Sequence, residues 1–298
     1  MTTDGLVVDD LHRAFGDVQA LAGVSMHVEP GSLHGFVGAN GAGKTTTMRA
    51  IVGIDQPDRG TVHMDGHRIT AEQRARIGYL PEERGLYPDM RVRDQVLFLG
   101  QLHGMSARDA ARRTDELLER LGLTERADDA TDNLSLGNQQ RVQLAASIVH
   151  EPDLLVLDEP FSGLDPVAAD VMADLLVEQS ERGVPVLFSS HQLDLVERLC
   201  DHVTIIADGR VVADGGIEEL RAARAGRRFR ITLSGDHPDW AAQAGVTNAE
   251  VGTATAVLTL TEDADEQALL DLARASGGVQ HFGRVVPTLT ELYREAIS

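Results

Sequence analysis

Residues 38–46 read GANGAGKTT, and this stretch decides the fold. It fits the pattern G-x-x-x-x-G-K-[ST], with an apolar run before it that predicts a strand and a run after it that predicts a helix. Glycines in such a loop let backbone N–H groups converge on an anion, and the following helix adds the positive end of its dipole. The sequence therefore predicts a nucleoside-triphosphate site on a strand–loop–helix unit.

The lysine in this stretch is unusual in the chain as a whole. Lys44 is the only lysine, and every other basic residue apart from histidine is an arginine. A compact ammonium suits the β- and γ-phosphates, whereas a planar guanidinium would fit the same pocket poorly. Thr45 follows it, and we expect its hydroxyl to ligate Mg²⁺.

A second part of the site is predicted in LLVLDEP, residues 154–160. An apolar strand ends there in two adjacent carboxylates, at the sheet edge where open α/β folds bind ligands. We expect Asp158 to hold the magnesium shell. Glu159 points the other way by strand alternation and suits a general base that orients an attacking water. Beside the phosphate loop, this pair predicts triphosphate hydrolysis rather than a solvated acidic surface.

His191 in LFSSHQ follows another apolar strand. A lone histidine is more often a surface or core residue than a ligand. Its place after a buried strand at the same sheet edge favours a contact with the γ-phosphate.

The order of patterns along the chain predicts an α/β core with a helical insertion. Short β-rich runs come first, and GTVHMDGHRI predicts a hairpin with an Asp-Gly turn. Residues from about 91 to 151 hold three helical patterns, the second beginning at Ser106 and closing at Gly122. From residue 153 apolar strands alternate with helices, which indicates a parallel sheet covered on both faces.

Near residue 225 the pattern starts afresh. AARAGRR reads as a small basic linker, and beyond it strand and helix patterns form an α+β module of about 70 residues. We expect Trp240 to pack in the core of this module. The predicted domains are residues 1–224 and 225–298.

Composition limits the function classes. The 298 residues carry a formal net charge of −20, which repels nucleic-acid backbones and anionic lipid headgroups. The lone cysteine, Cys200, cannot form an internal disulfide and is expected in the core. The first ten residues lack an apolar signal segment, and no window approaches about 18 uninterrupted apolar residues. We therefore expect a cytoplasmic chain that reaches a membrane only through a partner.

A second stretch of the sequence is also suited to binding an anion. Residues 134–141 read LSLGNQQR, a Ser-x-Gly turn at the start of a predicted helix. Such a turn is suited to holding an anion, although the phosphate loop lies far earlier in the sequence.

Taken in this order, the motifs resemble the ATP-binding subunit of ATP-binding-cassette (ABC) transporters over roughly residues 4–224. By this resemblance the Walker A loop spans Gly38 to Thr46 and the Walker B strand spans Leu154 to Glu159. The implied nucleotide-binding residues are Phe15, which stacks on adenine, and Gly38, Asn40, Gly41, Gly43, Lys44, Thr45 and Thr46.

The resemblance also explains LSLGNQQR as the signature motif. It implies that Ser135, Gly137 and Asn138 bind an ATP molecule held by another subunit. Asp165, at the end of SGLD, then lies in the D-loop at the dimer interface, and His191 is the switch histidine. Two subunits, expected to be copies of this chain, would sandwich two ATP molecules head to tail.

Two positions depart from the family pattern. The usual signature is LSGGQ, and here Leu136 and Asn138 replace a glycine and the glutamine. In YLPEERGLYP, Glu82 stands where the family has a glutamine that touches the metal, and a carboxylate can also ligate Mg²⁺. With the C-terminal module, these departures resemble the branch whose partners are six-helix exporter-type (ABC-2) permeases.

The fold implied is a P-loop cassette with an N-terminal antiparallel β subdomain, a parallel-sheet ATPase core, a helical insertion and a small α+β C-terminal domain. The function implied is Mg²⁺-dependent ATP hydrolysis that energises a membrane permease, for export, from the inner face of the membrane. The partner surface expected is the segment from Glu82 to Met90 together with the helical insertion.

Two alternatives remain open at this point. A soluble ABC ATPase acting on ribosomes or DNA would typically have two cassettes, long coiled-coil insertions or basic linkers, and the charge of −20 weighs against it. A cassette that binds ATP without useful turnover is opposed by Lys44, Asp158, Glu159 and His191. Glu82 is the one feature in favour of that second alternative.

Overall fold

The computed structural model describes residues 5–83, 85–224, 226–235, 237–243 and 245–297. The strands are β1 (Leu6–Phe15), β2 (Val18–Val28), β3 (Leu33–Val37), β4 (Arg59–Met64), β5 (His67–Arg68), β6 (Ile77–Leu80), β7 (Leu154–Leu157), β8 (Val186–Ser190), β9 (His202–Ala207), β10 (Arg210–Gly216), β11 (Arg228–Leu233), β12 (Val246–Val251), β13 (Thr255–Leu260) and β14 (Val279–Arg284). The helices are α1 (Lys44–Val52), α2 (Ala71–Arg74), α3 (Val92–Leu102), α4 (Ala107–Arg120), α5 (Leu136–Ile148), α6 (Pro166–Glu181), α7 (Leu193–Leu199), α8 (Ile217–Arg224), α9 (Glu266–Ser276) and α10 (Leu289–Ala296).

A six-stranded sheet forms the centre of the first part of the chain. Its strand order is β10-β9-β3-β8-β7-β6, and all neighbouring strands run parallel except β10, which is antiparallel to β9 at one edge. Every residue of β3, β7 and β8 is buried. Strands covered on both faces are mostly apolar, as these are, and the predicted parallel sheet is confirmed.

This strand order creates the candidate site. Strands β3, β8 and β7 are neighbours, and the carboxyl ends of parallel strands lie at one edge of a sheet. The phosphate loop follows β3, the two carboxylates follow β7, and His191 follows β8. Three motifs distant in sequence are therefore brought to one edge.

A second sheet, antiparallel, lies in the N-terminal part with strand order β2-β1-β4-β5. The turn between β4 and β5 has positive φ at both Asp65 (51°) and Gly66 (77°), as a two-residue hairpin requires. Apolar side chains of this sheet, such as Leu11 and Val62, join Met48 of α1 and Phe36 of β3 in one buried cluster. The predicted hairpin is confirmed, and the cluster fixes α1 between the two sheets.

The helical insertion consists of α3, α4 and α5, which pack on one another. The Ser106 hydroxyl caps α4 by accepting a hydrogen bond from the backbone N–H of Asp109, and Gly122 just beyond the helix has φ 66°. These are the start and stop predicted from the sequence.

Two stacked histidines connect the ends of α3 and α5. The ring centroids of His103 and His150 are 3.8 Å apart, with 13° between the ring planes. His103 Nδ1 is 2.7 Å from the carbonyl oxygen of Ala75, ahead of β6. Burial, with a smaller contribution from the neighbouring His103, lowers the pKa of His150 to about 4, so the pair is stable with His150 neutral.

Contacts divide the chain into two compact units with the boundary between Gly216 and Ile217. The second unit contains an antiparallel sheet of order β12-β13-β11-β14. Phe229, Leu258 and Leu269 of α9 belong to its core, in which Trp240 is almost completely buried. Trp240 is thus a packing residue, as expected.

The second unit differs from expectation in two places. The predicted boundary after residue 224 falls at the end of α8, a helix that groups with the second unit. Only Ile217 of α8 is buried, which leaves too weak an apolar pattern to distinguish this helix from a linker. Strand β12 has no buried residue and lies at the sheet edge, and for the same reason the sequence did not indicate it.

Cys200 is buried at the end of α7, and burial raises the pKa of its thiol. Within the described part of the chain, helices with the length and apolar character needed to cross a membrane are absent.

Candidate nucleotide-binding site

The loop between β3 and α1 depends on two glycines. Gly41 and Gly43 have φ of 82° and 110°, a backbone region that favours glycine. A Cβ on Gly43 would also lie 2.8 Å from the carbonyl oxygen of Ala20. The loop can therefore run close to β2, and α1 begins at Lys44 without a side-chain cap. The N–H groups of its first turn stay available for an anion.

The side chain of Lys44 folds back onto the loop that precedes it. Its ammonium donates to the carbonyl oxygens of Gly38 at 2.7 Å and Ala39 at 3.2 Å, and the residue is buried. Among the described residues no carboxylate pairs with it. Its charge is oriented by neutral carbonyls and remains available for a phosphate.

Asp158 is buried beyond the end of β7, and its two oxygens have different surroundings. Oδ1 accepts a hydrogen bond of 2.6 Å from the Ser189 hydroxyl on β8. Oδ2 is buried without a hydrogen-bond partner in the described part of the protein. A buried anionic oxygen without a partner is costly, and a hard cation would satisfy it.

Other oxygens suited to magnesium lie nearby. The Thr45 hydroxyl is 3.5 Å from Oε2 of Glu82, so the loop after β6 reaches the start of α1. Hydroxyl and carboxylate oxygens are what Mg²⁺ prefers, and it is usually shared with substrate phosphates. The predicted set of Thr45, Asp158 and Glu82 therefore fits a magnesium ion, which would neutralise charge on a bound triphosphate.

These segments enclose a cavity of about 320 Å³. Its lining is Ala20, Asn40, Gly41, Gly43, Lys44, Thr45, Thr46, Glu82, Asp158 and Glu159. All but Ala20 were predicted from the sequence. Ala20, on β2, carries no chemistry and contributes only its position, which no motif could have indicated.

Glu159 and His191 form a pair beside this cavity. His191 Nδ1 is 2.8 Å from Glu159 Oε2, and the histidine side chain is 58% exposed against 10% for the glutamate. His191 itself is not among the cavity-lining residues. The structure therefore places it against the predicted base, and its contact with a γ-phosphate stays a prediction.

Two side chains that sequence reasoning missed hold the backbone around Glu159. The Ser189 hydroxyl accepts from the Glu159 N–H at 2.8 Å. The Gln140 side-chain amide of α5 donates to the carbonyl oxygens of Glu159 at 3.3 Å and Pro160 at 2.9 Å. Both lie within stretches singled out for other residues, LFSSHQ and LSLGNQQR, but their bonds join segments distant in sequence.

Phe15, the predicted adenine platform, ends β1 and is 47% exposed. The Arg13 guanidinium stacks on it, 4.7 Å from the ring centroid, while pairing with Asp58 at 2.9 Å. The ring does not line the cavity around Lys44. The structure thus leaves Phe15 as an accessible aromatic surface whose binding role remains a prediction.

The residues predicted to act in trans lie apart from this cavity. Ser135 caps α5 by accepting from the Asn138 N–H, and Asp165 caps α6 by accepting from the Ala168 N–H. Leu136, the first residue of α5, is 55% exposed. None of the signature residues lines the cavity described above.

Comparisons with known proteins show which families and chains this sequence is similar to. The family described as "ABC transporter" matches residues 21–162, and the family "ATP-binding protein DrrA1-3-like, C-terminal domain" matches residues 215–297. The chain is 34% identical to the uncharacterized ABC transporter ATP-binding protein YhaQ of Bacillus subtilis (strain 168), over 98% of each chain. It is 38% identical to Nod factor export ATP-binding protein I of Paraburkholderia xenovorans (strain LB400), over 73% of each.

Among solved structures, the chain is similar to one described as the ATP-binding subunit of an ABC transporter. The TM-score is 0.69 at 32% sequence identity, over 73% of this chain and 92% of that one.

Proposed function

This chain belongs to the family of ABC transporter ATP-binding proteins, and on that premise we propose that it binds and hydrolyses ATP to energise a membrane permease. One observation carries the hydrolytic part of this proposal. Lys44, Asp158 and Glu159, from two separate motifs, line a single cavity of about 320 Å³.

The residues divide the chemistry among them. The first-turn N–H groups of α1 and the Lys44 ammonium bind and orient the phosphates. Thr45, Asp158 and Glu82 would hold a magnesium ion, which would neutralise charge on the phosphates. Glu159 orients the attacking water and accepts its proton, and His191 holds the carboxylate of Glu159 through the 2.8 Å contact. The reaction class is hydrolysis of the bond to the terminal phosphoryl group, with positioning as the main catalytic effect.

We further propose that two copies of the chain associate around ATP. Asp165, expected at the dimer interface, caps α6. The residues expected to act in trans, Ser135, Gly137 and Asn138, lie at the start of α5 and do not line the cavity that contains Lys44. Helix N-termini bind anions, which supports their use on a nucleotide held by a second copy. ATP would then stabilise the dimer, and hydrolysis would release it.

An exposed apolar stripe supports a permease partner. Phe98 and Leu102 stand one turn apart on α3 and are both exposed. Tyr87, from the segment between Glu82 and Met90, packs edge-on against Phe98 with ring centroids 6.4 Å apart. Arg84 of that segment lies outside the described residues. Aromatic residues exposed together are typical of protein interfaces.

The direction of transport rests on relatives. One relative is named for export of Nod factor, and the C-terminal unit matches a DrrA1-3-like domain. We propose export from the inner face of the membrane, with the C-terminal unit supporting the dimer or partner choice. Deletion of residues 226–298 should then weaken association but leave ATP binding intact.

The test is a purification from detergent extracts with the chain as bait. The expected result is Mg²⁺-dependent ATP turnover together with recovery of a multi-spanning membrane protein. Phe98→Asp should reduce that recovery, whereas Ile54→Asp, a matched change at another exposed apolar residue, should not. Turnover with no membrane partner, or turnover stimulated by ribosomes or nucleic acid, would favour a cassette that does not serve transport.

A further inference from the structure

The backbone of Glu159 has an uncommon conformation. Its φ is 51°, in the left-handed region that residues other than glycine seldom occupy. Such a conformation persists only where the surroundings hold it, and it is found preferentially at functional sites. The contacts that hold it are therefore of interest for the reaction.

The peptide group before Glu159 is held from strand β8. Its N–H donates to the Ser189 hydroxyl at 2.8 Å, and that hydroxyl donates its own hydrogen to Asp158 Oδ1 at 2.6 Å. One buried hydroxyl thus fixes both acidic residues. These two bonds leave Oδ2 of Asp158 as the oxygen without a partner in the described part of the chain. They also fix the position of the backbone N–H of Glu159.

The peptide group after Glu159 is held from helix α5. The Gln140 amide donates to the carbonyl oxygens of Glu159 and Pro160 at 3.3 and 2.9 Å, and the residue is buried. The Glu159 backbone is therefore held on both sides by side chains of two different elements, while its own carboxylate remains directed at His191.

We infer that Ser189 and Gln140 are positioning residues for hydrolysis, which hold Glu159 in its left-handed conformation and thereby direct its carboxylate. The inference rests on the proposed ATPase function. Gln140 stands on α5, which is capped by Ser135 and carries Gly137 in its first turn. The backbone of the catalytic glutamate is thus joined, within one subunit, to the loop proposed to bind the second copy's nucleotide.

The test compares Gln140→Met and Ser189→Ala with two matched controls. Gln139→Met removes a neighbouring buried amide that also donates to two carbonyls, those of Thr131 and Leu134. Ser147→Ala removes a buried hydroxyl whose one hydrogen bond within the described part of the chain goes to the Leu144 carbonyl of its own helix. These controls lose similar bonds that do not reach Glu159.

The test variants should lower kcat by about 10- to 100-fold, since small misplacement of a reacting group has effects of this size. ATP affinity, measured by equilibrium binding without Mg²⁺, should stay within about twofold because Lys44 is untouched. Both controls should keep kcat near that of the unchanged chain. Ser189→Thr keeps the hydroxyl and should retain most of the rate, and Ser189→Ala decides the question if Gln140→Met does not fold.

A second comparison separates positioning from a general defect. In a Glu159→Gln background, where the base is already removed, Gln140→Met should lower residual turnover no further. Ser189→Ala is not used in this comparison because it also removes the hydrogen bond to Asp158. Equal losses with and without Glu159, or unchanged kcat in both test variants, would overturn the inference while leaving the ATPase proposal standing. Absence of Mg²⁺-dependent turnover in the unchanged chain would overturn both.

Discussion

The cavity around Lys44 and the loop at Ser135 are both suited to phosphate, yet they differ in completeness. At the cavity, Lys44 and Asp158 are buried, and both residues line the same space. At the loop, Ser135 and Leu136 are exposed, and the Ser135 hydroxyl merely caps its own helix.

This difference indicates which region binds and hydrolyses the nucleotide and which region serves association. A buried, oriented set of charges is ready before the nucleotide arrives and needs little rearrangement. An exposed helix start gains its function only when another surface covers it. The first region should therefore govern binding and turnover, and the second should govern association.

The largest effect is expected from Lys44→Ala, which removes the buried positive charge. ATP binding should be lost, and turnover should fall by about 10³-fold or more. Lys44→Arg tests why one lysine survives in an arginine-rich chain, and it should be nearly as damaging because the planar group does not fit between the Gly38 and Ala39 carbonyls. Equilibrium binding of ATP measures both. Tight binding by either variant would contradict the importance given to this region.

Glu159→Gln should separate the two regions functionally. Removing the base lowers turnover by about 10²-fold or more, while binding through Lys44 persists. The complex formed with the second copy should then accumulate, seen as a doubled mass in light scattering with Mg²⁺ and ATP. A monomeric mass under saturating ATP would count against the proposed role of the exposed loop.

Gly137→Ala addresses the exposed region alone. An added Cβ would lie 3.4 Å from the Gly163 carbonyl oxygen and a Leu164 methyl, which is ordinary van der Waals contact. The subunit should therefore melt at an unchanged temperature. Association with ATP should weaken about tenfold, equivalent to about 1.4 kcal/mol, because the methyl group obstructs the anion-binding turn. Ser147→Ala on the same helix is the control, and loss of thermal stability in Gly137→Ala would assign the glycine to folding instead.

The smallest effect is expected from acid, through His150 beyond the end of α5. Its pKa in the fold is about 4, below the ordinary value of 6.5, so the unfolded chain binds the proton more readily. The stabilisation is fully present above pH 6.5 and is lost as the pH falls toward 4. Lowering the pH from 6.5 to 5.5 should reduce the free energy of unfolding by about 1 kcal/mol through this histidine. Urea unfolding at both pH values measures it, and His150→Gln should reduce the slope. An unchanged slope in that variant would show that other groups control the response.

Much of the fold was readable because its local signals agree. The apolar runs of β3, β7 and β8, the Asp-Gly hairpin and the Ser106 cap each determine structure within a few residues. Among the residues lining the cavity, Lys44, Thr45, Asp158 and Glu159 were predicted from motifs that follow strands ending at a shared edge of the sheet. Glu82 and Asn40 were predicted from the family resemblance.

Some features of the site were not predicted, because they depend on contacts between segments that are distant in the sequence. Ser189 and Gln140 are ordinary polar residues until the fold brings them to Glu159. The pairing of His191 with Glu159 is of the same kind. Helix α8 and strand β12 were missed for another reason, because with one buried residue and none they lack an apolar pattern.

The solitary lysine also has a consequence for covalent chemistry. Any reagent or enzyme that acylates lysine side chains can modify this protein at one residue, and that residue lies in the triphosphate cavity. Acylation would remove the positive charge that binds phosphate and add a bulky acyl group in the cavity. A single chemical mark on Lys44 would thus switch off the nucleotide site, and protection of Lys44 from the reagent would report its occupancy.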